Sequence, residues 1–280
     1  MSNRIDIKKT YKLYIGGAFP RTESGRTYEV KSSKGVFVAN PCLASRKDLK
    51  DAVVAARSAY PGWNKATAYN KGQILYRIAE MLEGRRSQFV DEIILLTGVT
   101  KLKAEKEVSE SIDRLVWYAG WSDKLSSLAG STNPVAGPYY NFTIPESMGV
   151  IGLIAPEAPS LLGLIDAIAP VIVSGNTCIA LASSKAPLPA ITFAEVLATS
   201  DLPGGVINIL TGKSSELAPW FASHMDIDGL DISGVQTKSR GELRTAGAEN
   251  LKRISSFSAS SPDRILAFME AKTVWHPIGN

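Results

Sequence analysis

The sequence predicts an α/β fold: a Rossmann-like parallel sheet with helices on both faces, an N-terminal helical segment, and a small β arm. From Gly149 onward, short β-branched runs alternate with helical stretches, the pattern of a parallel sheet covered on both faces. Before it come amphipathic helical stretches with apolar residues three and four apart. Between the two lies Gly130 to Gly149, where turn residues flank an aromatic, β-branched run that reads as a hairpin or arm.

The elements follow in order. Lys12-Leu-Tyr-Ile-Gly-Gly-Ala-Phe19 reads as a short strand broken by a Gly-Gly turn. After Asn40-Pro41, Leu49, Val53, Ala56 and Tyr60 recur at helical spacing, and Pro61-Gly62 is expected to stop the run. A second helix from about Thr67 carries Ile74, Ile78, Met81 and Leu82 on one face. A third runs to Gly98, a residue suited to a left-handed cap. The fourth has Val108, Ile112, Leu115 and Ala119 as its stripe, and its Trp117 and Trp121 are read as packing against a neighbouring helix. The sheet strands are expected at Val150 to Ile154, Thr177 to Leu181, Val206 to Leu210, Gly229 to Ile232 and Arg253 to Phe257. Helices are expected at Leu161 to Val173, around Ile191 to Ala198, from near Ser215, and between the last two strands. Such a sheet places a ligand cleft at the carboxyl ends of its strands.

Composition narrows the function classes. Hydrophobic residues make up 45% and charged residues 21%, the balance of an ordinary soluble globular protein. Net charge is +4, and the densest charge run, Lys101 to Glu107, mixes both signs as a solvated helix face does. No nucleic-acid partner is expected. Cys42 and Cys178 lack any CxxC or Cys/His spacing, and His224 and His276 are the only histidines, so neither a metal site nor a disulfide scaffold is expected. Residues 1–9 are polar and show no apolar signal segment. The longest apolar stretch, Leu161 to Val173, is interrupted by Asp166 and Pro170 and is too short to span a bilayer. The chain reads as cytoplasmic, with no membrane partner.

Several segments in order carry a resemblance. They are Asp113-Arg-Leu-Val-Trp-Tyr-Ala-Gly-Trp-Ser-Asp-Lys124, Gly137-Pro-Tyr-Tyr-Asn-Phe142, Glu146-Ser-Met-Gly-Val150, Ile168-Ala-Pro170 and Ser174-Gly-Asn-Thr177. Leu202-Pro-Gly-Gly-Val-Ile-Asn-Ile-Leu-Thr-Gly212 and His224-Met-Asp-Ile-Asp228 continue the series. In order and spacing they resemble the aldehyde dehydrogenase superfamily over nearly the whole chain to about Phe257. The resemblance implies a thiolate nucleophile, a glutamate base, an oxyanion-steadying asparagine and a nicotinamide cofactor.

The positions that the resemblance assigns to chemistry are replaced. The family's Pro-Trp-Asn-(Phe/Tyr)-Pro turn is similar to Pro156-Glu-Ala-Pro-Ser160, which puts Ala158 at the asparagine position. Losing one oxyanion donor costs about 3 to 4 kcal/mol in the transition state. The glutamate base would lie in a segment that here reads Ser256-Phe-Ser-Ala-Ser-Ser261, so Phe257 stands in its place. The family's Lys-Pro-Ala-Glu, whose Lys and Glu hold the adenosine ribose, corresponds to Leu181-Ala-Ser-Ser184. Each such hydrogen bond contributes about 1.5 to 3 kcal/mol, so binding should weaken by roughly two to four powers of ten. Val235 replaces the serine of a Phe-Thr-Gly-Ser turn, while Gly212 and Gly234 keep only backbone geometry. Glu157 brings a negative charge to the cleft, worth about 3 kcal/mol of repulsion at about 5 Å from a phosphate. No catalytic residue is expected. The vestigial cleft comprises Pro156, Glu157, Leu181, Ser184, Gly212, Gly234 and Val235; no cofactor is expected, with weak NAD binding at most.

The carboxyl-terminal stretch Ala267-Phe-Met-Glu-Ala-Lys-Thr-Val-Trp275 resembles the family's final strand, which normally follows the catalytic domain. Here only Ser258 to Leu266 separates it from the last sheet strand, which implies an internal excision. The expected division is 1–128 for N-terminal strands and helices packing on the cofactor-type domain, 129–148 for an oligomerisation hairpin and 149–258 for the Rossmann-like domain. The C-terminal oligomerisation strand is expected at 267–277, with the catalytic domain absent. The expected interface residues are Tyr139, Tyr140, Phe142, Ile144, Lys272, Thr273, Val274 and Trp275. This arrangement resembles the truncated second unit of two-domain aldehyde dehydrogenases. The leading expectation is a non-catalytic subunit, inactive by itself, that joins a complete aldehyde dehydrogenase subunit in a hetero-oligomer. The alternatives are a regulatory nucleotide- or NAD-binding module, and an oxidoreductase of this family that acts only within a complex, with Glu157 as a candidate acid or base.

Overall fold

The computed structural model describes residues 7–279; the polar opening 1–6 lies outside the described residues. Tyr14 and Ile209 exchange backbone hydrogen bonds at 2.9 and 2.8 Å, so the opening segment forms an isolated bridge rather than a strand of its own. Gly16 and Gly17 make its turn with φ of 63° and 83°, a region glycine enters without steric cost. A hairpin of β1 (Val30–Lys31) and β2 (Phe37–Ala39) follows, which the sequence pattern did not reveal.

Helix α1 (Arg46–Lys65) starts at a capping box: Ser45 Oγ accepts from the Asp48 amide, and Asp48 accepts from the Ser45 amide. The helix runs through Pro61, contrary to the expected stop there. Buried Trp63 donates its Nε1–H to the Ile172 carbonyl at 2.9 Å, and this anchor holds the last turn beyond the proline. Then come α2 (Ala68–Glu83), α3 (Arg86–Thr97), α4 (Lys101–Ala119) and the short α5 (Leu125–Ala129). Gly98 closes α3 in the left-handed conformation, φ 71°. Trp117 departs from expectation: it is 39% exposed and stacks edge-on against Trp121, with ring centroids 5.6 Å apart. Of the two, only Trp121 packs against the core.

The arm consists of β3 (Ser131–Asn133) and β4 (Tyr139–Ser147). The parallel sheet then builds through β5 (Val150–Ile154), α6 (Ser160–Val173), β6 (Thr177–Leu181), α7 (Leu188–Leu197) and β7 (Ile207–Leu210). It finishes with α8 (Ser214–Ser223), β8 (Gly229–Asp231), α9 (Thr237–Ala248) and β9 (Arg253–Ser255). A short α10 (Asp263–Leu266) leads into β10 (Met269–Pro277). The sheet order is β7-β6-β5-β8-β9, all parallel.

Strand alternation divides the core in two. Ile151, Leu153, Cys178, Ala180, Ile207 and Ile209 face α2, α3, α4, α6 and α7. Val150, Ile154, Ile179, Leu181 and Leu210 face α1 and α8. No helix among the described residues is long and apolar enough to cross a membrane.

Candidate functional site

Parallel strands gather the loops at their carboxyl ends on one rim, and the order reverses between β5 and β8, where a ligand cleft is expected. The two neighbouring loops nearly touch. The Gly234 amide donates to the Ile154 carbonyl at 3.0 Å, and a Cβ at 234 would lie 2.1 Å from the Ala155 carbonyl oxygen. Glycine is required there by close approach. Gly212 is tight against α8, where a Cβ would meet Leu217 Cδ1 at 3.3 Å. Beside these loops opens a cleft of about 520 Å³, lined by Glu157, Lys185, Ser214, Val235, Lys238 and Glu242 among others.

Glu157 does not extend freely into this cleft. Its Oε1 accepts from Ser184 Oγ at 2.7 Å. Its Oε2 accepts from Ser183 Oγ at 2.7 Å and from the Lys185 amide at 3.1 Å. Ser183 is 2% exposed and is fixed in turn by accepting from the Ala186 amide at 3.1 Å. The carboxylate is therefore a structural bridge between the β5–α6 and β6–α7 loops, and the free acid or base considered from sequence is not what the fold presents. A second carboxylate, Glu107 on α4, accepts from the Leu161 and Leu162 amides at 2.9 and 3.5 Å and so caps α6. Burial raises the Glu107 pKa, and these backbone hydrogen bonds oppose the rise.

The sequence-assigned cleft residues separate in space. Glu157, Gly234 and Val235 line the cleft, and Ser184 reaches it through Glu157. Leu181 is buried in the α1–α8 core. Pro156 packs on α6, where its Cγ would sit 3.1 Å from a Cβ at Gly163. Ala158 is exposed in the β5–α6 loop.

Phe257, which the sequence resemblance set at the base position, joins a cluster that sequence reasoning missed. Its ring lies 4.9 Å from the Arg264 guanidinium and 6.2 Å from Phe268, and its amide donates to Ser233 Oγ at 2.9 Å. Arg264, from the short connection, donates to Asp231 at 3.0 Å, with the two side chains 6% and 2% exposed. In the same connection Ser260 donates to Asp166 at 2.7 Å. The segment from Phe257 to Arg264 is thus fastened to the rim by ionic, polar and aromatic contacts. Both cysteines are free and buried, and burial pushes the Cys178 thiol pKa up, which suppresses the thiolate needed for attack. No cluster of His, Cys, Asp and Glu able to hold a metal ion occurs among the described residues.

The arm is a three-stranded antiparallel sheet in the order β10-β4-β3. β10 pairs with β4 along its full length, from Met269 opposite Ser147 to Pro277 opposite Tyr139. Lys272, Thr273, Val274 and Trp275 thereby face Ile144, Thr143, Phe142 and Asn141. Tyr139 and Trp275 meet edge-to-face at 5.8 Å, and Tyr140 lies 5.4 Å from Phe142. Tyr139, Tyr140 and Trp275 remain exposed.

A doubly wound parallel sheet, a rim cleft at its switch point and a separate antiparallel arm define a Rossmann-like α/β protein with an appended β sheet. The aldehyde dehydrogenase family model matches residues 20–261, and the chain belongs to that family. It is 31% identical over 261 residues to cytosolic 10-formyltetrahydrofolate dehydrogenase of Pongo abelii, covering 90% of this chain and 29% of that protein. It is 32% identical over 269 residues to retinal dehydrogenase 2 of Gallus gallus, covering 94% of this chain and 51% of that protein. Among solved structures it resembles the NAD+ complex of aldehyde dehydrogenase from Bacillus cereus, with TM-score 0.81, 26% identity, and coverage of 88% of this chain and 50% of that one. PnpE from Pseudomonas sp. WBC-3 gives TM-score 0.84 at 26% identity, covering 89% and 50%. The chain spans about half the length of these solved relatives. On this chain's own rim the carboxylate of Glu157 accepts from Ser183 and Ser184, and Leu181 is buried.

Proposed function

We propose that this chain is a non-catalytic aldehyde dehydrogenase-like subunit that assembles with a complete aldehyde dehydrogenase through its β arm and C-terminal strand. The observation that carries the reading is the full-length pairing of β10 with β4 after a connection of only residues 256–268. Parts suited to assembly are kept, while Ala158 and Phe257 stand where chemistry would need a donor and a base. β10 is an outer strand of its sheet, so one row of its backbone groups is available to pair with another sheet edge. Tyr139, Tyr140 and Trp275 supply exposed aromatic anchors beside that edge. The reading places the chain in the cytoplasm, without a membrane or nucleic-acid partner and without a required cofactor; buried free thiols suit a reducing compartment.

The test is a pull-down from the native source, followed by mass determination of the intact complex. The expected result is a defined stoichiometry with a complete family member. Elution of the chain alone, or only as a homodimer, at native concentration would sink the reading.

A further inference from the structure

We propose that Glu157 is the internal occupant of an oxyanion seat formed by Ser183, Ser184 and the Lys185 amide, and that its carboxylate keeps phosphate-bearing ligands out of the cleft. Three donors converge on its two carboxylate oxygens, at 2.7, 2.7 and 3.1 Å. The seat is built rather than incidental: Ser183 is buried and held by the Ala186 amide, and the loop leads directly into α7. Without the carboxylate, the Ser184 hydroxyl and the Lys185 amide would lose their acceptor, while the Ser183 hydroxyl would keep only the Glu157 backbone carbonyl at 3.0 Å. Donors left without an acceptor, on a loop whose Ser183 is buried, favour any small oxyanion that can enter.

The surroundings match such a ligand. Lys185 and Lys238 line the cleft, with Glu242 as the other acid on its wall. The starts of α8 and α9 border it, and neither has a side-chain cap, so their first amides add positive potential to the seat that Glu157 now occupies. At α6, by contrast, a carboxylate sits directly on the helix start, with Glu107 accepting from the Leu161 amide. The rim is therefore satisfied from within at two places. Weak nucleotide binding then reflects occupancy of the seat as well as replaced residues. The seat stands apart from the arm, so this inference is independent of the assembly reading.

The experiment titrates acetate and inorganic phosphate into the full chain, the Glu157→Ala variant and the Glu157→Gln variant by calorimetry, with circular dichroism to verify folding. Glu157→Ala should bind phosphate about tenfold or more tightly than the parent chain, and adding Ser184→Ala should reverse the gain. Glu157→Gln keeps the side-chain bulk and removes the charge, so it should show a smaller gain in the same direction. Equal affinity in the parent and both folded variants would overturn the proposal, as would a gain that survives Ser184→Ala. Pull-down of a partner by Glu157→Ala should match the parent chain, so failure here and failure of the assembly reading are separable.

Discussion

Arg264 and Asp231 show what a single side chain contributes at the remodelled rim. Their ion pair is almost wholly buried, and removing one partner strands the other charge in a low-dielectric site. Arg264→Ala should therefore destabilise the fold by about 3 to 5 kcal/mol, read as a lower urea midpoint at unchanged slope. Glu107 carries a pH dependence of definite sign. Burial raises its pKa above the ordinary carboxyl value, so its favourable contribution is fully present below that ordinary value and is lost as pH rises through the folded one. Glu107→Gln should flatten stability against pH across that window, and an unchanged profile in denaturant titrations would refute the assignment. Neither site was legible in the sequence. Nothing local couples Asp231 to Arg264 or Glu107 to Leu161; only the fold brings them together. Ala158 and Phe257 were singled out by motif order alone, whereas the Ser183–Ser184 pair read as a loss in sequence and shows its contact with Glu157 only in the fold.

Helices and strands followed local pattern where that pattern was strong. The alternating strands from Val150 to Ser255 and the Gly98 stop appear near the expected places, because strand periodicity and left-handed glycine are local properties. α1 did not stop at Pro61, because a tertiary hydrogen bond from Trp63 outweighs the local cost of proline. The β1–β2 hairpin escaped notice because its strands are too short for periodicity to register. The arm offers the prediction belonging to this level. Val274 sits opposite Phe142 in the β10–β4 pair, and proline there lacks a ladder donor and fixes φ. Val274→Pro should release the partner while leaving the parallel sheet intact. Deleting 271–280 should act likewise, since Phe268, which packs against Gly229, is retained. Loss of the cooperative unfolding transition in either variant would show that β10 is part of the main fold.

The architecture as a unit bears on chemistry. β9 and β10 are joined by residues 256–268, and Phe257, Ser260 and Arg264 of this connection fasten it to the rim. The groups that attack, deprotonate and stabilise an oxyanion act together in acyl chemistry, and their contributions are strongly non-additive. On the proposed reading the nucleophile is missing, so restoring one or two of the other groups would not restore turnover. We therefore expect no aldehyde-dependent reduction of NAD or NADP by the purified chain with short aliphatic or aromatic aldehydes. The double variant Ala158→Asn with Phe257→Glu should be equally silent, because Cys42 and Cys178 are both buried. Steady-state spectrophotometry at high enzyme concentration decides the matter. Turnover above the uncatalysed rate, abolished by changing a single residue of this chain, would show that chemistry has been rebuilt on this rim and would remove the ground for a purely structural subunit.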